Sequence, residues 1–438
     1  MTRGTTDEQS YDAERAEQLG RRLEREHGIS RRTLLRAAAA GVPLLTALGR
    51  DALATPQARA QAATAPAPPA PPAAAGPIAK PLPPEWFDLF TTNAEMRWDA
   101  VPGLGYEIPA ERFFVRNHTA TPAIDPATWR LRLFGSGLRR RPGQPEVAEF
   151  SLADLRRMPS RTRTAFVECA GNGRSFYASQ QGTPAAGTQW RLGAVGVARW
   201  RGVPLAEVLE RAGLERSAVD VMPQGLDANV ISGGADLGHV RRPLPIAKAL
   251  DDALIAYEMN GAPLPPDHGF PARLIVPGWI GVASIKWLGQ IEVADEPLFS
   301  PWNTTQYRMI GGDWPADAPP LTRQTIKSAF ELPWNAQLPR HRRTLLEGRA
   351  WSGGGAPIAA VEVSDDGGAR WRRARLHHPN PSEAWVRWSL PWRPRAAGQA
   401  TLQARARDWR GNVQPATVPF NSNGYLFGAV VRHPVTIV

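Results

Sequence analysis

One cysteine, Cys169, stands in the stretch Val167-Glu168-Cys169-Ala170-Gly171-Asn172-Gly173-Arg174. A thiolate is a nucleophile and a soft ligand, so it suits covalent chemistry or a soft metal. Arg174 lies a few residues on and would stabilise such a thiolate. Gly171 and Gly173 would let the backbone approach a ligand closely. These residues alone leave two readings open: a reactive or metal-binding cysteine, and a buried structural one. A lone cysteine excludes an intramolecular disulfide, CxxCH haem attachment, zinc knuckles and cysteine-ligated iron–sulfur clusters.

The elements that must hold this cysteine can be read from the pattern around it. Thr164-Ala165-Phe166-Val167-Glu168 predicts a strand that delivers Cys169 into the Gly-rich turn. Arg112-Phe113-Phe114-Val115-Arg116 reads as another strand. Leu205, Val208, Leu209 and Ala212 share one face of a helix. Arg273-Leu274-Ile275-Val276 reads as a buried strand stopped by Pro277-Gly278. From residue 84 to 320 the pattern is therefore a mixed α+β domain. From about residue 322 it changes. Ala359 to Ser364, the turn Asp365-Asp366-Gly367-Gly368, Arg370-Trp371, Trp385 to Leu390 and Ala400 to Ala406 read as strands in an immunoglobulin-like β-sandwich.

The chain has 438 residues and a formal net charge of +11. Its length accommodates two or three domains. Arginine is scattered and often lies near Asp or Glu, which describes a solvated basic surface rather than a nucleic-acid patch. Such a surface would draw in small anions or an acidic protein partner. Beyond residue 60 no run of about twenty apolar residues occurs, so no membrane span is expected in the mature chain. Sixteen Trp are available to line a cleft.

Ser30-Arg31-Arg32-Thr33-Leu34-Leu35-Arg36 fits the twin-arginine export pattern. A weakly apolar run over residues 37–48 follows, and Ala58 and Ala60 suit cleavage after Ala60. The expected organisation is a signal over residues 1–60, an Ala/Pro-rich linker over 61–83, a catalytic domain over 84–320 and a sandwich over 321–438. The mature protein is expected in the periplasm, exported already folded.

From about residue 84 to the end, ordered motifs resemble the sulfite oxidase family of molybdopterin-dependent oxidoreductases. The cysteine loop Cys169-Ala170-Gly171-Asn172-Gly173-Arg174 is similar to that family's. So are Phe113-Phe114-Val115-Arg116-Asn117-His118 and the segment from Trp190 to Leu205. Leu254 to Gly261, Asp267-His268-Gly269-Phe270-Pro271-Ala272-Arg273 and Ser284-Ile285-Lys286-Trp287-Leu288 follow in order. Ala350-Trp351-Ser352-Gly353-Gly354-Gly355 resembles the family's C-terminal dimerisation domain.

The resemblance implies that Cys169 is the thiolate ligand of a molybdenum bound by one pyranopterin. It implies that Phe114, Val115, Arg116, Asn117, His118, Asp227, His268, Arg273, Ser284, Ile285 and Lys286 hold the pyranopterin and its phosphate. Arg116, Arg174, Trp190 and Tyr307 resemble the family's substrate pocket. The implied reaction is oxidation of sulfite to sulfate by oxygen-atom transfer. The electrons would go to an external acceptor such as a c-type cytochrome, since no haem module is recognisable. A homodimer is expected.

One departure stands out. Animal members carry a pocket arginine in a Trp-Asn-x-Arg-Gly context, whereas this chain has Phe420-Asn421-Ser422-Asn423-Gly424-Tyr425. A similar ending marks the sulfane dehydrogenase branch. Sulfane dehydrogenation, or reduction of an S- or N-oxide with the same cofactor, is the alternative reading.

Overall fold

The computed structural model describes residues 8–27, 77–139, 146–312, 314–315 and 317–438. The twin-arginine stretch, the apolar run after it and the expected cleavage site lie outside the described residues. No helix among those described is long and apolar enough to cross a membrane.

Two five-stranded sheets build the first domain, with few helices. The strand Arg161–Glu168 pairs along its whole length with Val195–Pro204. Val195–Pro204 pairs in turn with Leu254–Met259, and Arg273–Ile275 pairs with the other edge of that strand. The second sheet centres on Leu288–Ala294, which lies antiparallel to Asp220–Gly225 and parallel to Arg130–Phe134. The helix Leu205–Arg211 buries Leu205, Val208 and Leu209, the face its spacing predicts. Each such side chain contributes about 1.5–3 kcal/mol when fully buried.

The C-terminal domain is a sandwich. A four-stranded sheet containing Lys327–Phe330, Thr344–Trp351 and Val386–Trp392 faces a five-stranded one containing Ile358–Ser364, Gly398–Asp408 and Arg432–Ile437. Leu346, Trp388 and Leu390 from the first sheet meet Val361, Leu402 and Val435 from the second in one apolar core. The two domains also share a core, in which Trp98 and Phe166 pack with Trp351, Trp385 and Phe427. A buried Arg349 donates to Glu331 at 2.6 Å and stacks 4.3 Å from the Trp385 ring beneath this junction.

Two expectations need correction. Of the strand expected at residues 112–116, only Val115–Arg116 is extended and paired. The amides of Arg112 and Phe113 close turns onto the carbonyls of Pro109 and Ala110, which leaves them unable to join a ladder. The expected linker ends before residue 83. Ile78 and Leu82 pack on Phe87, Ala94 and Val115. The amides of Ala79 and Lys80 donate to the two oxygens of Asp267 at 2.9 and 2.8 Å. The charged segment before the arginine pair contains a helix, Glu8–His27. Its Tyr11 and Arg15 are buried and donate to Asp220 at 3.1 and 2.9 Å.

Gly202 is paired with Ala256 where the strands Val195–Pro204 and Leu254–Met259 meet. A Cβ there would lie 1.9 Å from the Ile255 carbonyl oxygen. We expect Gly202→Ala to cost about 1–3 kcal/mol, the usual range for overpacking. The thermal unfolding midpoint should fall measurably. An unchanged midpoint would mean that the sheet relaxes freely at this point.

Candidate functional site

The cysteine is presented as the pattern predicts. Arg161–Glu168 ends at the cavity, and the Cys169 amide still donates to the Ala194 carbonyl of the neighbouring strand at 2.9 Å. The chain then turns, with Asn172 N–H bonded to the Cys169 carbonyl and Arg174 N–H to that of Gly171. Gly173 adopts φ +93°, a value an L side chain rarely tolerates, and a Cβ there would press on Phe427. The Gly171 amide lies 3.4 Å from the cysteine sulfur.

A cavity opens over this loop. Its wall contains Phe114, Arg116, Asn117, His118, Cys169, Asp227, His268, Arg273, Ser284, Ile285, Lys286 and Tyr307. Residues remote in sequence thus converge on one space around the sulfur. Three expected members do not line it. Trp190 is fully buried and packs edge-on against Phe90, with ring centroids 5.4 Å apart. Val115 points the other way along its strand, into the small core with Phe87 and Ala94. Alternation along the strand requires this when Phe114 and Arg116 face the cavity. Arg174 donates to the Asn423 and Thr188 carbonyls at 2.8 and 2.7 Å and lies over the Tyr425 ring, 5.6 Å from its centroid.

Reading the sequence missed Asp267 and Tyr425. Asp267 is fully buried and accepts from Thr121 as well as from the two linker amides. It stands beside His268 in a stretch already singled out, and an acid in that position was a usable signal. Tyr425 stacks on Tyr307 with centroids 5.1 Å apart and planes at 15°. Its approach could not be read locally, because it comes from the C-terminal segment.

The electrostatics fit an anion. Burial pushes Arg273 down to about 9. Burial, reinforced by neighbouring cations, holds His268 well below the usual histidine value, and Lys286 is similarly depressed by burial and by Arg273. For His268 and Arg273 no acidic neighbour offsets desolvation, for Lys286 Asp267 and Asp227 offset it only in part, and a bound dianion would favour the charged form of all three. Burial disfavours the Arg116 charge too, but Tyr307, Cys169 and Tyr425 more than offset it, so its pKa lies above the ordinary arginine value. Burial raises Asp227 to about 7, and its Oδ1 has no hydrogen-bond partner in the protein. A protonated Asp227 could donate to a heterocycle nitrogen or carbonyl. Buried cations, an orphaned acid and a single soft sulfur match a phosphorylated, metal-bearing heterocycle.

Fold and cavity together define a molybdopterin-binding oxidoreductase. The family model for the oxidoreductase molybdopterin binding domain matches residues 118–302, and that for the Mo-co oxidoreductase dimerisation domain matches 322–437. The chain is 38% identical to sulfite oxidase of Gallus gallus over 338 residues, which is 73% of this chain and 70% of that one. It is 36% identical to mitochondrial sulfite oxidase of Rattus norvegicus over 351 residues, 76% of this chain. It spans 62% of the rat protein's length. The sulfane dehydrogenase SoxCD of Paracoccus pantotrophus superposes with a TM-score of 0.64 at 27% identity, covering 80% of this chain and 84% of that one. This chain belongs to the sulfite oxidase family.

Proposed function

We propose that this protein is a molybdenum-dependent dehydrogenase that oxidises sulfite, or a related small sulfur oxyanion, and passes the electrons to an external acceptor such as a c-type cytochrome. The observation that carries this reading is the single thiolate in the wall of a cavity that also presents Arg116 and Tyr307. When bound, the molybdenum cofactor supplies oxygen-atom transfer and stores two electrons. Cys169 would hold the metal. Arg273, Lys286 and His268 would hold the cofactor's phosphate by charge-assisted bonds. Arg116 would bind the substrate anion. Tyr307, whose hydroxyl lies 3.1 Å from His118 Nε2, would orient oxygen atoms at the reacting centre. Sulfane dehydrogenation is the second reading, favoured by Asn423 standing where animal members carry arginine. A steady-state assay of cofactor-loaded protein tests both: sulfite and thiosulfate with cytochrome c or ferricyanide as acceptor, and a sulfoxide with a reduced viologen as electron donor. Turnover of the sulfoxide alone would reject them.

Two further properties belong to this proposal. The protein reaches the periplasm by the twin-arginine route, so Arg31→Lys with Arg32→Lys should leave it in the cytoplasm. Normal periplasmic accumulation of the double variant, seen by fractionation, would point to another route. It also forms a homodimer through its C-terminal domain. Light scattering of the purified protein should give twice the mass of the chain, and a monomeric mass would count against the dimer.

A further inference from the structure

The residues on either side of Cys169 are gripped from the C-terminal domain. Glu168 is fully buried. Its Oε1 accepts from Lys327 Nζ at 2.7 Å and from Asn172 Nδ2 at 2.9 Å. Its Oε2 accepts from Trp351 Nε1 at 2.9 Å, and its main-chain oxygen accepts from Gln324 Nε2 at 2.8 Å. Lys327 Nζ also donates to the Asn172 carbonyl at 3.0 Å. The Asn172 side chain closes the loop from the other side by accepting from the Ala194 amide at 3.1 Å.

The donors form a prepared set. Lys327 and Trp351 are directly opposed in the antiparallel pair of Lys327–Phe330 with Thr344–Trp351. Directly opposed residues put their side chains on the same face, so the sheet presents an ammonium and an indole N–H side by side. Lys327, Trp351 and Gln324 are all at most 4% exposed. A buried ion pair is a poor source of net stability, because desolvating two charges offsets most of their attraction. Apolar residues of the same volume would join the domains as well. What this network supplies is a fixed position for Glu168 and Asn172, and therefore for the sulfur held between them.

We propose that Lys327, Trp351 and Gln324 are positioning residues for the Cys169 thiolate. The C-terminal domain then completes the metal-binding loop of the first, in addition to any part in dimerisation. The inference rests on the proposed role of Cys169 as molybdenum ligand. It predicts that loosening the clamp alters the ligand field of the metal, whereas a merely structural network would change stability alone.

The test uses full-length, cofactor-loaded protein with the substitutions Lys327→Met, Trp351→Phe and Lys327→Arg. Molybdenum content, the electron paramagnetic resonance spectrum of Mo(V) and steady-state kinetics are read together. Lys327→Met should change the Mo(V) spectrum and lower kcat by on the order of a hundredfold, the cost of misplacing a reacting group by about 1 Å. KM should change little, because none of Gln324, Lys327 and Trp351 lines the cavity. Trp351→Phe should shift the spectrum in the same direction by less, and Lys327→Arg should restore most of both readouts. Lys327→Met leaves a buried carboxylate unpaired and risks misfolding. Glu168→Gln with Lys327→Met removes that charge, and its spectrum should still differ from the wild type.

A folded Lys327→Met or double variant with wild-type spectrum and kcat, and only a lower unfolding midpoint, would overturn the proposal. In that case Cys169→Ser would still alter the spectrum and the ligand reading would stand. A Cys169→Ser variant with an unaltered spectrum would overturn both.

Discussion

Replacement of Cys169 by serine should lower sulfite oxidation by about a thousandfold or more, equivalent to ~4 kcal/mol in activation free energy. The protein itself should remain folded. Serine is close to cysteine in size, and the strongest contacts of this loop's backbone do not involve the sulfur. The residue-169 amide bonds to Ala194, and its carbonyl accepts from Asn172. On the proposed role of Cys169, what is lost is the soft donor, since a hydroxyl is a poor substitute for a thiolate on molybdenum. Activity per mole of protein, molybdenum content and circular dichroism should be measured on one preparation. A folded variant that keeps most of its turnover would remove Cys169 from the metal.

Much of the cavity could be read from the sequence because its residues lie in short contiguous stretches at the ends of elements. Cys169 follows a strand that runs straight into a Gly-rich turn, and Arg273 opens another strand. His268 and Arg273 sit five positions apart with a tight turn between them, where Gly269 takes φ +104°. A motif of this kind carries its own geometry. Relations between distant segments do not. Tyr425 on Tyr307, Asp267 on the linker amides and Lys327 on Glu168 join residues more than a hundred positions apart. Nothing in local pattern fixes such pairings, which depend on how the sheets stack. Trp190 shows the opposite error. It stands in a matching segment, and a tryptophan near a pocket suggests a wall. The ring instead fills core space against Phe90, where its large apolar area is worth most. Arg174, expected in the substrate pocket, is instead held by the carbonyls of Thr188 and Asn423 and lies over the ring of Tyr425. Its charge still acts on Tyr307, which lines the cavity.

That arrangement leaves Arg116 as the guanidinium in the cavity wall nearest to the sulfur, and it sets the largest expected effect on substrate binding. Arg116→Met should lower kcat/KM for sulfite by about two to four powers of ten. Two charge-assisted hydrogen bonds to a dianion are worth about 1.5–3 kcal/mol each, and methionine can make neither. Most of the loss should appear in KM, as expected when an interaction is present in both the ground and transition states. Arg116→Lys keeps the charge but loses the planar fork, so its kcat/KM should fall between those of wild type and Arg116→Met. The Arg116 contribution should also respond weakly to added salt, because burial limits screening of this pair. Kinetics at low and high ionic strength, with molybdenum content as a control, would measure each of these. An unchanged KM in a variant with full molybdenum content would assign the substrate anion to another cation, and a parallel loss of molybdenum would make Arg116 a cofactor ligand first.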